Sequence, residues 1–269
     1  MSARGLKRLV RAVVPPAVLR PIVRRFFRVR WTGSYASWAE ARAAAKGYED
    51  PEVFSRILAA ARLARDGGCA FERDGMAFAA PAVNAPLLAG LQHAAAGGNL
   101  SVLDFGGSLG SVYGQHRAAL APLATIDWRV VEQPHFVAAG QREFTTPELR
   151  FFSSIDEACA GGQPETLLLS SVLSYLEDPH ALLRELARRK FRHVLIDRTG
   201  ITADKTDRLT VQRAPRNLHS ATYPCWFLSR ERLLAPFAAD YVVRAEYETL
   251  DGQAWGLPFR GFQLERRVP

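Results

Sequence analysis

Two carboxylates in this chain flank a glycine-rich turn, in a pattern suited to holding a ligand. Asp104 lies in the apolar run LSVLDF at 100–105, and Gly106, Gly107, Ser108, Leu109 and Gly110 follow. Glycines allow positive φ and let a ligand approach the backbone closely. In open α/β sheets, a strand that ends in such a turn and feeds a helix binds ligands beside the helix N-terminus. Glu132 lies 22 residues beyond Gly110, at the end of the next apolar run, with Gln133 beside it. A carboxylate there can accept both hydroxyls of a ribose, and hydrogen bonds to charged groups contribute about 1.5–3 kcal/mol each.

The spacing and charge of this region discriminate between ligands. A dinucleotide site spaces its glycines G-x-G-x-x-G so that amides face a pyrophosphate; Gly106, Gly107 and Gly110 do not fit that spacing. Asp104 would repel a pyrophosphate and attract a cation. S-adenosylmethionine offers an α-ammonium and a sulfonium and carries no phosphate, so the charge favours it as the cofactor. Glu132 alone supports only a ribose, because nicotinamide enzymes place an acid there too. The alternatives are a turn or cap acid at Asp104 and a solvated strand end at Glu132. Farther along, Ser170 and Ser171 end another apolar run; they either line the same site or cap a buried strand.

Acceptor chemistry needs a base and a platform. Asp197 ends a fifth apolar run and is expected to face the crevice, which makes it the first base candidate. Arg198 would orient an anionic substrate or neutralise Asp197. His219 and Tyr223 lie in a polar stretch and are alternative proton-handling groups, with Tyr175 nearby. For each of these a structural role is the competing reading. Tyr223, Trp226 and Trp255 would make an aromatic platform for a sugar ring; alternatively Trp226 and Phe227 anchor their loop to the core. His116, His135 and His193 read as surface residues.

The elements that must position these groups alternate. Strands are predicted at 100–105, 127–132, 149–152, 166–171 and 193–197, with helices after Gly110, from Pro134 and from Asp178-Pro179. Asp before a first-position Pro is a helix-start signature. This βαβα order predicts a parallel sheet covered on both faces. Before it, Ser37 caps a helix near Trp38, and 51–65 and 86–96 read as helices. After it, 198–227 reads as irregular, a helix starts at Ser229, and two strands flank the Asp251-Gly252 turn. The expected division is a basic amphipathic segment at 1–30, a helical extension at 31–98 and the ligand-binding domain at 99–269.

Composition narrows the class. With 269 residues, 48% of them hydrophobic, one full-sized domain plus an extension is expected. Three scattered cysteines are not a disulfide framework, and no Cys/His cluster has zinc spacing, so a reducing, cytoplasmic setting without structural metal is expected. The net charge is +8, but residues 1–30 hold nine of the 35 Lys and Arg and no acid. The remainder is near neutral, which argues against a nucleic-acid-binding fold. The basic segment repeats apolar residues at helical spacing, so it either rests on an anionic membrane surface, which would make the protein peripheral at the inner membrane, or packs on the main domain.

Seven segments together resemble a bacterial family of class I S-adenosylmethionine-dependent methyltransferases met near cell-surface polysaccharide genes. They are GSYASWAEA at 33–41, LDFGGSLGSVY at 103–113, VVEQPHFVAAG at 130–140, SSVLSYLEDP at 170–179, LIDRT at 195–199, DRLTVQ at 207–212 and YPCWFLSRE at 223–231. The resemblance implies a Rossmann-like α/β class I methyltransferase fold: a seven-stranded, mostly parallel sheet in the order 3-2-1-4-5-7-6, strand seven antiparallel, with helices on both faces. It also implies that Tyr35 closes over the cofactor. Ser108 departs from the family pattern, which has a middle glycine there. The resulting expectation is O-methylation of a sugar or other small hydroxylated acceptor in cell-surface glycan synthesis. A nicotinamide-dependent oxidoreductase, or a non-catalytic binding protein docked by its basic segment, are the alternatives.

Overall fold

The structure is a computed structural model that describes residues 29–45, 51–213, 221–249 and 259–267. Residues 1–28, His219 and Trp255 lie outside the described residues, and so does the membrane reading of the basic segment. None of the described helices is long and apolar enough to cross a membrane.

Strands β4 (Asn99–Phe105), β5 (Thr125–Val131), β6 (Leu149–Phe152), β7 (Thr166–Ser170) and β8 (His193–Thr202) are parallel and stand in the order β6-β5-β4-β7-β8. β12 (Phe259–Arg266) joins β8 antiparallel, and β11 (Tyr241–Glu248) joins β12. Numbered from β4, this is 3-2-1-4-5-7-6, the Rossmann-like order of the class I methyltransferase fold. Successive strand residues point to opposite faces. Leu167 and Leu169 therefore enter the core under α7 (Pro179–Arg188), whereas Leu168 enters the other core with α3 (Ala85–Ala94) and α5 (Pro134–Glu143); all three leucines are fully buried. Each such burial stabilises by about 1.5–3 kcal/mol.

The helix starts follow the sequence. Ser37 caps α1 (Trp38–Ala44) by accepting from the Glu40 N–H at 3.3 Å, and Asp178 caps α7 by accepting from the Ala181 N–H at 2.8 Å. Pro134 opens α5. α2 (Pro51–Arg65) and α3 occupy the two predicted Ala- and Leu-rich stretches.

Two expectations change. Among the described residues the sheet has ten strands rather than seven. The stretch read as irregular holds the end of β8 and two further strands, β9 (Arg208–Arg213) and β10 (Thr222–Ser229). Past Asp197, β8 continues and pairs with β10 in parallel at Ile201 and Thr202; β9 and then β1 (Arg30–Tyr35) add antiparallel. The alternation of buried Leu209 and Val211 with polar neighbours was the strand signal, masked by the surrounding charges. The N-terminal extension is also not wholly helical. It contributes β1 and a hairpin of β2 (Phe71–Arg73) and β3 (Met76–Phe78).

Candidate active site

The turn between β4 and α4 (Ser111–His116) has three left-handed residues: Gly106 at φ 74°, Ser108 at 55° and Gly110 at 83°. Gly107 serves a different purpose. A Cβ there would lie 2.5 Å from the Asp104 carboxylate, which is packed directly beneath it. A Cβ on Gly106 would meet Val172, in the segment after β7, at 2.5 Å.

Asp104 is wholly buried, on the face of β4 that carries the α3 core. Its Oδ2 accepts from Trp128 Nε1 at 2.9 Å, and its Oδ1 has no partner among the described residues. Burial pushes its pKa up to about 7; the Trp128 bond opposes the rise and the charge of Glu132 adds to it. The half-buried Glu132 folds back over the turn: Oε1 accepts from the Ser108 N–H at 3.3 Å and Oε2 from the Gln133 N–H at 2.7 Å. Burial raises its pKa too, against those two amide bonds. Neither carboxylate has a Lys or Arg partner among the described residues. The structure therefore brings Asp104, Gly106, Gly107, Ser108, Gly110, Glu132 and Gln133 together, with two repelling acids and no resident cation.

Ser170, Ser171 and Asp197 form the neighbouring wall. Asp197 is 1% exposed and does not open on the crevice as expected. Its Oδ2 accepts from Asn84 Nδ2 at 2.9 Å and Ser170 Oγ at 3.3 Å, and its Oδ1 from the Tyr247 hydroxyl at 3.0 Å. Tyr247 reaches it across β12 because Gly261 has no side chain; a Cβ there would lie 2.2 Å from the ring. Burial, and then the contact with Asp197, raise the Tyr247 pKa. Ser171, at φ 58°, donates its N–H to the Asp197 carbonyl at 3.0 Å. Asn84, the N-cap of α3, also donates its backbone N–H to His116 Nε2 at 3.1 Å. His116 Nε2 is thus an acceptor, and Nδ1 faces the Val112 carbonyl at 2.9 Å. His116 and His193 are buried, not surface residues as read from the sequence, because each sits on the inward stripe of its element. His135 is exposed.

Next to Asp197, Arg198 reaches back to the N-terminal extension. It pairs with Asp74 at the tip of the β2–β3 hairpin. From the same hairpin, the buried Glu72 accepts from Ser111 Oγ at 2.5 Å. The N-terminal extension thus bridges the first turn of α4 and the end of β8.

On the β9–β10 side, Gln212 Oε1 accepts from Trp31 Nε1 at 2.8 Å and from the Tyr175 hydroxyl at 3.2 Å. Gln212 Nε2 donates to the Tyr223 hydroxyl at 2.9 Å, and the Tyr175 and Tyr223 rings meet edge-on at 5.4 Å. Burial raises the Tyr175 pKa. Trp226 donates to the Leu176 carbonyl at 3.1 Å and stacks on Trp38, while Phe227 is buried, so both anchor β10 as the second reading held. Tyr35 is not brought to the glycine turn. Its ring folds over Gly33 and packs against the small cluster of Ala41, Leu209 and Val211 at the sheet edge.

Sequence reasoning missed Trp128, Asn84, Tyr247 and Gln212. Asn84 caps a helix read from the sequence as 86–96, and its bond to a residue 113 positions away has no local signal.

Solved structures resemble the chain in part. A magnesium protoporphyrin IX methyltransferase from Synechocystis, with bound S-adenosylhomocysteine, is 15% identical over 68% of this chain and 83% of its own, with a TM-score of 0.47. A Burkholderia thailandensis 1,6-didemethyltoxoflavin-N1-methyltransferase is 17% identical over 88% of this chain and 93% of its own, at 0.46. An amino pentose methyltransferase from Micromonospora echinaspora is 12% identical over 68% and 89%, also at 0.46. No protein-family model matches the sequence, and no curated protein matches it. Identities this low say nothing of substrate, and the site is read from its own geometry.

Proposed function

We propose that the chain is an S-adenosylmethionine-dependent methyltransferase that O-methylates a sugar or another small hydroxylated acceptor. The observation that carries this reading is the acidic pair at the turn. Asp104 and Glu132 repel each other, have no basic partner among the described residues, and line a turn whose glycines do not fit a pyrophosphate. Such a site favours a ligand that brings positive charge and a ribose. The orphaned Asp104 Oδ1 and the close-packed Gly107 fit that cofactor, with Glu132 and Gln133 at the ribose and the 106–110 backbone with Ser170 and Ser171 toward its methionine end.

When bound, S-adenosylmethionine supplies a methyl group activated by the sulfonium. The chain then has to align the acceptor, an effect that can contribute on the order of 7–11 kcal/mol, and remove its proton, worth about 10²–10⁴-fold. Tyr175 and Tyr223, fixed by Gln212, offer ring faces and a hydroxyl to a sugar. Asp197 is too buried to meet the acceptor directly, so a proton reaches it through the Ser170 or Tyr247 hydroxyl, each passing its own proton inward. The family resemblance adds a setting, cell-surface glycan synthesis, with residues 1–30 docking the enzyme on the inner membrane.

Calorimetric titration of the purified chain with S-adenosylmethionine and, separately, NAD tests this. Micromolar binding of the first alone, weakened about 10–100-fold in Glu132→Ala, is expected, the loss of one hydrogen bond to a charge. Binding of NAD, or of neither, overturns it. For the membrane setting, flotation with anionic liposomes is expected only when residues 1–30 are present.

A further inference from the structure

At the start of β8, four residues before Asp197, three residues from three elements converge. His93 lies in the last turn of α3, His193 is the first residue of β8, and Glu265 lies near the end of β12. One ligand atom of each falls within 4.8 Å of the others. The two imidazoles meet edge-on with centroids 5.4 Å apart, and His93 Nε2 lies 3.3 Å from Glu265 Oε2.

We propose that this cluster is a binding site for a borderline divalent transition metal of the zinc, cobalt or nickel class. Two imidazoles and a carboxylate are the donors such ions take, at about 2.0–2.2 Å, so ligand atoms around a tetrahedral ion stand about 3.4 Å apart. The His93–Glu265 edge already has that span, and the 4.8 Å limit on the rest leaves a closure that side-chain rotation supplies. His193 is the telling member. Its residue is 4% exposed, no described hydrogen bond occupies its ring nitrogens, and neither nitrogen is sealed from solvent, so the ring is held in place by its surroundings while a nitrogen stays accessible to an ion. Arg244 Nε steadies Glu265 at 2.9 Å on Oε2, while Oε1 has no hydrogen-bond partner among the described residues. Carboxylates that bind metals are commonly held this way by a neighbour. His93 is open to solvent, its side chain 57% exposed, which leaves a path for the ion and a position for water. The strand direction places the cluster about 13 Å along β8 from Asp197, so the ion is a clip and takes no part in the reaction. It ties α3 of the N-terminal extension to β8 and β12, and α3 begins at Asn84, the residue that holds Asp197.

The spacing of 93, 193 and 265 in sequence hides the site from motif reading. The test is titration of the tag-free full chain with Zn²⁺, followed by calorimetry and thermal unfolding. One ion per chain is expected, with Tm raised several degrees at a hundredfold excess over Kd. His93→Ala, at an exposed position that leaves folding intact, should weaken binding at least tenfold and abolish the Tm rise; Glu265→Gln should weaken it less. Co²⁺ loading should give a visible spectrum without thiolate charge-transfer bands. No binding, equal binding by wild type and His93→Ala, or a thiolate band pointing to Cys69 or Cys159 overturns the proposal.

Discussion

The two sides of the crevice are built differently. The side proposed for the cofactor comes from one stretch, 102–133: a strand, a glycine turn, a helix and the end of the next strand. Its carboxylates are held almost entirely by neighbours within that stretch, namely Trp128 and the amides of Ser108 and Gln133. The acceptor side comes from everywhere else. Asp197 is fixed by Asn84, Ser170 and Tyr247, and Tyr223 by Gln212, which also holds Trp31 and Tyr175. The first side leaves its charges unpaired and depends on a ligand to compensate them. The second satisfies its charge internally and depends on the whole fold to do so. Ligand binding should therefore dominate the behaviour of one, and stability that of the other.

The largest effect should come from Asp197→Ala. It strands the Asn84 amide, the Ser170 hydroxyl and the Tyr247 hydroxyl in a buried place, and unsatisfied buried groups cost about 1–3 kcal/mol each. A loss of about 3–5 kcal/mol in denaturant unfolding is expected. A loss under 1 kcal/mol would mean that the acceptor side is not held from within.

Asp104→Asn should act in the opposite direction. The folded chain holds the Asp104 proton with a pKa of about 7 against an ordinary 3.8. Folding is thus favoured by this group below its ordinary pKa, and that contribution fades as pH rises toward 7. Removing the charge should stabilise the protein at pH 8 by up to about 4 kcal/mol, and hardly at all at pH 4. The same substitution should weaken S-adenosylmethionine binding, and for the wild type Kd should rise as pH falls through 7. Stability curves at the two pH values, with calorimetry alongside, decide it. A pH-independent difference would show that the Asp104 charge is compensated after all.

Proton removal sharpens the comparison from the acceptor side. Whichever of Ser170→Ala and Tyr247→Phe breaks the relay should lower kcat about 100-fold, equivalent to about 2.7 kcal/mol, and Tyr247→Phe should do so without changing cofactor affinity. If both leave kcat within about threefold, Asp197 is not the base.

The same division explains what could be read in advance. The sheet order and helix starts were legible because local signals, such as Asp178-Pro179 and the apolar run at 166–170, agree with the global fold. The acidic pair was legible because one short stretch makes it. Asn84, Tyr247 and Gln212 were not, because their partners lie 113, 50 and 181 positions away in the cases of Asp197, Asp197 and Trp31. β9 was missed because charged residues bound its short alternation, and β10 because Pro224 interrupts an apolar run that does not alternate; β10 is stabilised by pairing with β8 past Asp197, and β9 by pairing with β10 and β1.

The smallest expected effect lies within the glycine turn and concerns Ser108, which stands where the sequence resemblance leads one to expect glycine. Ser108 holds φ at 55°, a left-handed conformation that costs a residue with a Cβ roughly 1–2 kcal/mol. Its hydroxyl is also buried without a partner. Glycine at that position relieves both, at the cost of a more flexible unfolded chain. Ser108→Gly should therefore raise stability by about 0.5–1 kcal/mol, read as a small upward shift of Tm. What happens to cofactor affinity then separates two roles for the residue. If Kd is unchanged, the backbone path alone builds the turn and the serine is a tolerated substitute. If Kd worsens severalfold although the fold is tighter, the orphaned hydroxyl is a ligand contact held ready, and Ser108 joins Glu132 as a residue whose partner arrives with the cofactor.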